Sequence, residues 1–368
     1  MPAASHILIP IHDFSAGGTE LIAFRLARQW LKAGRRVTIL AGASDGPLRP
    51  RVPEGAEVHI LSPERPRSRF SRLFLGSQMA PVARALAPDA VFIPGNFHFM
   101  LGKGLREALP RAAIVAKASN PVWSDDWVPL PIARALLARA TAGIDRIVAM
   151  APALEADVSR YISADRVVVV EDPFLDDQAA ITARAPAPSG ANLHLLTVAR
   201  LEPQKDPALA LQTVRVLRDL GHAVHLTMLG SGPMHLELER RIAQLGLGAC
   251  VTLAGYVADP TPYYRAADVL LMSSRFEGVP AVIGEALLHG LPFIATDCSP
   301  WLTALATSHP ALGSVVTSRD PSDLAHALIN RSLQPLPTAE EIDAGIGSHR
   351  VGPAAHAYLE LFDTLQRR

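Results

Sequence analysis

The segment SSRFEGVPAVIGEALLHG, residues 273–290, carries two carboxylates, Glu277 and Glu285, with seven residues between them. It follows AADVLLM, an apolar run of strand length. Pro280 suits the first turn of a helix, so we expect Glu277 in the loop before that helix and Glu285 inside it. Gly278 lets the backbone approach a ligand, and the helix start offers unpaired N–H groups to a phosphate. In a sugar nucleotide, the diphosphate lies between the hydroxyls of the sugar and those of the ribose. A phosphate-binding helix start with a carboxylate on either side suits that arrangement.

Composition predicts a two-domain protein with sizeable cores. The 368 residues are 49% hydrophobic and 19% charged, and 35 basic residues balance 35 acidic ones, so we expect no nucleic-acid partner. Cys250 and Cys298 are too few for a disulfide framework or a zinc site, and we interpret them as reduced thiols in a cytoplasmic protein. The sequence has no apolar run near the ~20 residues of a membrane span. MPAASHILIPIHDF lacks the basic start and long apolar core of a signal peptide.

Strand-like and helix-like segments alternate, which predicts an α/β protein with parallel sheets. The expected strands are 6–11, 37–42, 90–94, 112–118, 146–150, 167–174, 193–200, 225–232, 251–257, 268–274 and 292–297, and clear helices are expected at 19–34, 206–221 and 234–247. Residues 176–192 are rich in alanine and proline and are interpreted as a linker. They separate an N-terminal domain, 1–175, from a C-terminal domain, 193–345. Residues 346–368 form a helix that can pack back on the N-terminal domain.

A second signal lies in VARLEPQKDP, where Arg200 and Lys205 stand between a strand and a helix. A guanidinium and an ammonium there can hold a diphosphate, and the alternative is an exposed basic pair near a turn. Glu277 and Glu285 follow a different strand. Because ligands bind at the carboxyl ends of parallel strands, their presence favours the diphosphate interpretation of Arg200 and Lys205. The glycine turn LGSGP at 229–233 is expected at the same edge of the sheet. The segment GYV at 255–257 can hold a base through backbone groups or form a simple turn.

In this order, R-x4-K, LGSGP, GYV and E-x7-E resemble the family-4 retaining glycosyltransferases with the glycosyltransferase-B fold, and the tract around E-x7-E looks like the subset that builds bacterial polysaccharides and lipid-linked glycans. The resemblance covers nearly all of the second domain and, more loosely, the SAGG loop of the first. It implies two Rossmann-like domains that face a cleft and transfer of a hexose with retention of anomeric configuration. It also implies that no metal or other cofactor is required, and the chain contains no Asp-x-Asp, the metal-binding motif of the other main glycosyltransferase fold.

The resemblance assigns a role to each matching residue. Arg200 and Lys205 neutralise the donor diphosphate. Glu277 holds hydroxyls of the transferred sugar, and Glu285 holds the ribose of the nucleotide. The remaining donor contacts are implied at Gly17, Gly18, Gly230, Gly255, Tyr256, Val257, Gly278 and Val279.

The first domain offers candidates for the acceptor or the reactive face of the sugar. Asp13, before the glycine loop, either contacts an acceptor hydroxyl or forms a turn. His98, after a strand-like run, either touches substrate or is a structural histidine. Ser119 and Asn120 stand where many family members have a histidine, which is one departure from the family. A second departure follows Asp297, where CSPWLTAL replaces the glycine and glutamate that relatives often show.

The segment RPRSRFSRLFLG, residues 65–76, combines arginines with apolar side chains. This is typical either of a helix lying on an anionic membrane or of a solvated helix with one buried face. Because the family often uses lipid-linked acceptors, we expect peripheral contact with the inner face of the cytoplasmic membrane. The expected contact residues are Arg65, Arg67, Arg69, Phe70, Arg72 and Phe74.

Together these features predict a metal-independent, retaining hexosyltransferase that uses a nucleotide sugar and a glycan or lipid-linked acceptor. The resemblance around SSRFEG favours a UDP-sugar. GDP-mannose is the alternative donor, since nothing in GYVADP selects a base. A sugar-nucleotide epimerase would need no acceptor, and a non-catalytic sugar-nucleotide-binding subunit would bind the donor without turnover.

Overall fold

A computed structural model describes residues 4–15, 17–68, 71–123, 128–182, 184 and 192–366. The chain forms two compact units. The first unit contains Met1–Asp177 together with Ser348–Arg368, and the second contains Gln178–Gly347. The first unit is therefore built from two separate stretches of sequence, and the second is continuous.

The first unit is a parallel seven-stranded sheet with helices between its strands, in the order β3-β2-β1-β4-β5-β6-β7. Its strands are β1 (His6–Ile11), β2 (Arg36–Ala41), β3 (Glu57–Ile60), β4 (Ala90–Ile93), β5 (Ala113–Ala118), β6 (Arg146–Ala149) and β7 (Val167–Val169). Its helices in this half of the chain are α1 (Gly18–Lys32), α2 (Ser71–Leu86), α3 (Leu101–Ala108), α4 (Leu130–Ala140) and α5 (Pro152–Tyr161). The central strands β1, β4 and β5 are buried along their whole length and are mostly apolar, as expected of a sheet covered on both faces.

The second unit repeats this design with a parallel six-stranded sheet, in the order β10-β9-β8-β11-β12-β13. Its strands are β8 (Leu193–Val198), β9 (Val224–Leu229), β10 (Val251–Gly255), β11 (Val269–Met272), β12 (Phe293–Thr296) and β13 (Gly313–Val316). Its helices are α6 (Pro207–Asp219), α7 (His235–Gln244), α8 (Thr261–Ala266), α9 (Ala281–Leu288), α10 (Pro300–Ser308), α11 (Pro321–Ser332) and α12 (Ala339–Ile346). The predicted α/β class with two Rossmann-like domains is confirmed.

The last helix, α13 (Val351–Gln366), completes the core of the first unit by packing against α1. Trp30 of α1 makes edge-on contacts with Tyr358 and Phe362, with ring centroids 6.1 and 5.6 Å apart. The Trp30 indole N–H also donates to the Ala355 carbonyl over 3.1 Å. The Trp30 ring thus packs against residues more than 300 positions away, and its N–H finds its hydrogen-bond acceptor there too.

The two stretches of the first unit meet where the chain leaves and re-enters it. Leu175 pairs with Arg350 in an isolated parallel β-bridge, and Val351 donates its N–H to the Leu175 carbonyl over 2.9 Å. Beside this bridge, Lys117 of β5 and Asp172 form an ion pair of 2.6 Å, with side chains only 2% and 4% exposed. His349, in the re-entering segment, places its Nδ1 3.0 Å from the Asp172 carbonyl oxygen, so the two segments are joined beside this ion pair.

Several predicted elements differ in length from those observed. The expected strand at 167–174 contains only β7, three residues long, and the one expected at 251–257 stops at Gly255. Gly255 has a φ of +71°, which breaks an extended strand. Strands β3 and β13 were not predicted, because their sequences, EVHI and GSVV, mix polar residues or glycine with apolar ones and do not form an apolar run.

The predicted linker, 176–192, falls partly among residues that the structure does not describe, namely 183 and 185–191. In its described part, Thr182 donates its N–H to the Leu288 carbonyl over 2.9 Å. The Arg184 guanidinium bonds to the Ala267 carbonyl and lies 3.5 Å from Asp268. These residues pack on the second unit.

Among the described residues, none of the helices is both long and apolar enough to cross a lipid bilayer.

Replacing Lys117 with alanine should destabilise the first unit by about 3–5 kcal/mol, because Asp172 would remain as a buried, unpaired charge. Denaturant unfolding monitored by far-UV circular dichroism measures the change. The double variant Lys117→Met with Asp172→Leu is the control and should recover most of the loss, since both charges are removed. Equal losses in the two variants would show that the charge pair is not what stabilises this region.

Candidate functional site

The loop after β11 places Glu277 beside Lys205, as the order of strands in the sheet allows. The Lys205 ammonium donates to Glu277 Oε1 over 2.5 Å, and the Ser274 hydroxyl donates to the same oxygen over 2.7 Å. Glu277 is only 6% exposed, so its charge is balanced mainly by these two donors. The backbone N–H of Glu277 donates to the Cys298 carbonyl over 2.7 Å, which fixes the loop to the end of β12.

Lys205 is held by a short 3-10 turn, Pro203–Lys205, which ends at Asp206. Asp206 has a φ of +43°, a left-handed conformation that costs free energy for a residue with a side chain. Its carboxylate accepts from Arg319 and pairs with Arg275, both over 2.8 Å. Arg319 also donates to the carbonyls of Ser273 and Ser274 over 2.9 and 3.0 Å. These bonds connect the Lys205 turn to the loop that carries Glu277.

Glu285 lies inside α9, as predicted, and accepts a hydrogen bond from the Tyr264 hydroxyl over 3.0 Å. Tyr264 is buried, and burial and the nearby Glu285 charge raise the pKa of its phenol well above the usual value. The phenol therefore stays a donor to Glu285 at neutral pH. Pro280 lies at the N-cap of α9, one position before the first turn, in which it was expected.

The residues between the two glutamates form the start of α9. Gly278 and Val279 are both buried, and the Gly278 carbonyl accepts from the Ser299 hydroxyl. Cys298 lies behind this loop as a buried free thiol. Burial and the Glu277 charge raise the pKa of the Cys298 thiol to about 12.

Arg200 lies at the same edge of the sheet, but its ion pair is with Glu202, over 2.8 Å, rather than with Glu277. The LGSGP turn packs directly against it. Gly230 has a φ of +134°, and a Cβ there would lie 1.9 Å from the Ala199 carbonyl oxygen. Only glycine fits this contact, which presses the end of β9 against the Arg200 backbone.

The predicted GYV contact follows β10. The Gly230 N–H donates to the Gly255 carbonyl over 2.7 Å, so the ends of β9 and β10 are joined. Tyr256 is exposed and Val257 is half-buried. The structure brings Gly230, Gly255, Tyr256 and Val257 to the sheet edge that also carries Lys205.

The first unit has its own polar cluster around Asp13, which follows β1. Asp13 accepts from the Arg67 guanidinium over 3.0 and 3.1 Å and from the Ser15 N–H over 3.0 Å. Burial alone would raise the pKa of Asp13, but these hydrogen bonds and the Arg67 charge outweigh burial and lower it to about 2. Arg67 also stacks 4.7 Å from the centre of the Phe97 ring and lies 3.9 Å from Glu20.

His98 is buried in the 3-10 turn Asn96–His98. Within the described part of the chain, neither of its ring nitrogens has a hydrogen-bond partner. Burial, with smaller contributions from Arg67 and His12, lowers the pKa of His98 to about 3. The imidazole is therefore neutral at physiological pH.

Ser119 and Asn120 follow β5 and are held by Asn96. The Asn96 side-chain oxygen accepts from the Ser119 N–H over 2.7 Å, and its amide nitrogen donates to the Asn120 carbonyl over 2.9 Å. Gly95 packs here as well, since a Cβ at this position would lie 2.5 Å from the Ser119 hydroxyl oxygen. The ends of β4 and β5 are thus joined.

The glycine loop of the first unit leads into α1. Gly17 is the N-cap and Gly18 the first helical residue, while Ala16 lies outside the described residues. A Cβ at Gly17 would lie 2.5 Å from a carboxylate oxygen of Glu20, so the turn is closed around that side chain.

The predicted membrane segment is described only in part. Arg69 and Phe70 lie outside the described residues, as does the side chain of Arg72. Arg67 contacts Asp13, as described above. The Arg65 N–H donates to the Gly42 carbonyl over 2.6 Å, and Phe74, in α2, is 60% exposed.

Two family models match this chain and together span most of it. The model described as Glycosyltransferase Family 4 matches residues 16–173, and the one described as Glycosyl transferases group 1 matches residues 192–332. The chain belongs to the family-4 glycosyltransferases. The predicted family is confirmed.

Individual relatives support this assignment. A D-inositol 3-phosphate glycosyltransferase of Streptomyces scabiei is 29% identical over 96% of this chain and 85% of its own length. The amylovoran biosynthesis glycosyltransferase AmsK of Erwinia amylovora is 31% identical, but the match covers only 29% of this chain and 28% of that protein.

Solved structures support the glycosyltransferase-B fold. Anabaena HepE in complex with UDP and glucose superposes with a TM-score of 0.71, at 18% identity, over 99% of this chain and 97% of that chain. Staphylococcus aureus TarM superposes with a TM-score of 0.75, at 11% identity, over 99% of this chain and all of that chain. At such low identity these superpositions show the fold of this glycosyltransferase and not its substrates.

Several residues around the candidate sites were not found from the sequence of this glycosyltransferase. They are Ser274, Arg319 and Tyr264 in the second unit, and Asn96 and Glu20 in the first. Ser274 and Glu20 lie next to recognised motifs, so proximity could have suggested them. The other three reach their partners across different elements, and no local pattern marks such contacts.

Replacing Arg67 with methionine should lower the stability of the first unit at pH 7 by at most about 2 kcal/mol, since Arg67 itself is partly exposed. The folded pKa of Asp13 lies below its usual 3.8, so its stabilising effect is present above pH 4 and is lost as the pH falls towards 2. The loss caused by the substitution should therefore be largest at neutral pH and should shrink towards pH 2. Thermal unfolding midpoints between pH 2 and 8 test this.

Arg51→Met, which removes another exposed arginine of the first unit, is the matched control. It should change the midpoint little at any pH. A loss in Arg67→Met that does not depend on pH would contradict the role given to the Asp13 carboxylate.

Proposed function

We propose that this glycosyltransferase moves a hexose from a nucleotide diphosphate sugar to a hydroxyl of a glycan or lipid-linked acceptor. The proposal includes retention of the anomeric configuration and independence from metal. The observation that carries it is the Lys205–Glu277 ion pair, whose carboxylate is buried, at the sheet edge that also carries the glycine turns, with Glu285 following inside α9. This edge combines a cation for the diphosphate, carboxylates for the hydroxyls and glycine turns where the backbone can approach the ligand, which are the groups that bind a sugar nucleotide.

Each side chain can act on the donor through its own chemistry. An ammonium carries three N–H donors, of which Lys205 uses one on Glu277, so it can share the diphosphate charge with Arg200. Glu277 and Glu285 can accept from sugar and ribose hydroxyls. Among the described residues, no group of three or more His, Cys, Asp and Glu side chains is arranged to hold a metal ion. Arg200, Lys205 and helix N–H groups would then stabilise the leaving diphosphate.

The proposed reaction asks for little acid–base chemistry from the protein. As the bond between the anomeric carbon and the diphosphate breaks, the leaving oxygen can take the proton of the attacking acceptor hydroxyl on the same face. The new glycosidic bond then forms on that face, and the configuration is retained. The cations stabilise the charge that develops on the leaving group, which lowers the barrier.

A UDP-sugar is the favoured donor. Anabaena HepE was solved with UDP and with UDP-glucose, and TarM with UDP, which supports this choice by similarity of fold alone. A GDP-mannose-dependent mannosyltransferase of the same fold is the second candidate, because the backbone groups at 255–257 do not distinguish bases.

The proposed acceptor lies in cell-surface polysaccharide or glycolipid synthesis. Relatives include proteins named for amylovoran and colanic acid biosynthesis, and structural neighbours include an outer-core lipopolysaccharide galactosyltransferase. Peripheral contact with the inner membrane face through Arg65, Arg69, Phe70, Arg72 and Phe74 belongs to the same proposal. Arg67 is a weaker member of this set, since its guanidinium is bound to Asp13.

UDP should raise the melting temperature of the second unit, with the same shift in the presence and absence of magnesium. At a 100-fold excess over its dissociation constant, a ligand stabilises the native state by about 2.7 kcal/mol. A thermal-shift screen against UDP, GDP, ADP and their sugar conjugates makes the measurement. A shift with GDP alone would favour the mannosyltransferase, and no shift with any nucleotide would contradict the donor site.

Glu277→Gln, Lys205→Ala and Arg200→Ala should each reduce sugar transfer by roughly 10²–10³-fold, because each removes a group that stabilises the donor or the leaving diphosphate. Transfer is measured with the nucleotide sugar that gives the largest thermal shift and a panel of glycan and lipid-linked acceptors.

Arg218→Ala, an exposed arginine on α6, is the matched control and should keep full activity. Circular dichroism confirms that each variant is folded. Wild-type turnover in any one variant would exclude the role given to that residue. Donor binding without transfer to any acceptor in the wild type would favour a non-catalytic binding subunit.

A further inference from the structure

A cavity of about 570 Å³ lies at the carboxyl edge of the second sheet, outside the residues assigned to the donor. Its walls include Arg275, Asp297, Ser299, Thr303, Ala304 and Thr307. Most of these belong to α10 and the loop before it, and we call this space the α10 cavity. Binding sites for small molecules usually measure about 300–1,000 Å³, so the α10 cavity has room for a sugar unit.

The α10 cavity shares a wall with the loop that carries Glu277. The Glu277 N–H donates to the carbonyl of Cys298, a residue of the cavity wall, over 2.7 Å. The Ser299 hydroxyl, also in the wall, donates to the Gly278 carbonyl. A ligand in the cavity would therefore lie against the loop whose Glu277 is proposed to hold the transferred sugar.

The order of strands separates this cavity from the proposed nucleotide contacts. Arg200 and Gly230 follow β8 and β9, and Gly255 ends β10; these three strands lie on one side of β11. The α10 cavity follows β12, on the other side of β11. The nucleotide and the cavity thus flank Glu277 from opposite sides, which leaves the cavity for a different part of the reacting system.

The charges of the cavity wall favour a neutral ligand rich in hydroxyls. The Arg275 and Arg319 guanidinium groups share the Asp206 carboxylate, each over 2.8 Å. Asp297 is exposed and accepts from the Thr303 hydroxyl over 2.9 Å, and it can accept further hydrogen bonds. Two cations and two carboxylates leave this region with no net charge, which suits a neutral ligand, and Asp297 can accept from sugar hydroxyls.

The segment CSPWLTAL, after Asp297, forms much of this cavity. Thr303, Ala304 and Thr307 of this segment and its helix have short side chains, which leave the space open.

We propose that the α10 cavity binds a neutral pyranose unit of the acceptor glycan. The inference rests on the proposed function, since it names the class of acceptor for that reaction. The cavity thereby selects acceptors whose sugar beside the reacting hydroxyl carries no acidic group.

The test is saturation-transfer NMR with the full-length protein, in the presence and absence of UDP. The probes are the methyl α-pyranosides of glucose, galactose, mannose and rhamnose, with methyl α-glucuronide as the acidic comparison. At least one neutral probe should give a signal several-fold stronger than the glucuronide. In Ala304→Trp, whose indole takes up part of the cavity and blocks it, that signal should fall at least fivefold.

Ser332→Trp, an exposed serine at the end of α11 outside the cavity, is the matched control and should keep the signal. Asp297→Asn should weaken the neutral probes and reduce the discrimination against the glucuronide. The UDP-induced thermal shift should be the same in all three variants as in the wild type.

Three results would overturn the proposal: no neutral probe gives a signal, Ala304→Trp leaves the signal unchanged, or the glucuronide binds as well as the neutral probes. A signal lost in Glu277→Gln but kept in Ala304→Trp would assign the probe to the donor sugar position, which also overturns it. Failure of the proposed function is distinguished by the thermal shift, since a wild type that does not respond to any nucleotide lacks the donor site whatever the glycosides do.

Discussion

Both sheets of this glycosyltransferase are parallel throughout, and this single constraint decides where its polar residues can meet. Every strand of a parallel sheet ends at the same edge, so the loops after separate strands become neighbours. In the second unit this brings Lys205, after β8, to Glu277, after β11, across 72 positions of sequence. In the first unit the same rule joins Asn96, after β4, to Ser119, after β5.

The residues that form the candidate donor site also stabilise the fold around it. Glu277 is buried, and its desolvation is offset by the bonds from Lys205 and Ser274. Asp206 is held in a left-handed conformation between Arg275 and Arg319. A donor that draws Lys205 away from Glu277 must therefore replace the interaction it removes. Pre-placed charges of this kind need little reorganisation when a ligand arrives.

The sequence predicted those features that leave a local pattern. Alternating elements indicated the two sheets. The spacing of Glu277 and Glu285 placed one carboxylate before α9 and one inside it, and Gly230 marked a turn whose backbone geometry needs glycine. It did not predict contacts between distant elements. Asp13 and Arg67 are 54 positions apart, and Arg67 was instead interpreted as a membrane contact because its neighbours are basic and apolar. Side-chain pairing over such distances depends on the folded sheet, and hydrophobic periodicity does not predict it.

The bridge between Leu175 and Arg350 bears on how this protein is made on the ribosome. Because the first unit contains both ends of the described chain, Trp30 cannot meet Tyr358 until about 330 further residues have been synthesised. The second unit is continuous and is synthesised completely before that point. The second unit can therefore fold while the core of the first unit still lacks its last helix.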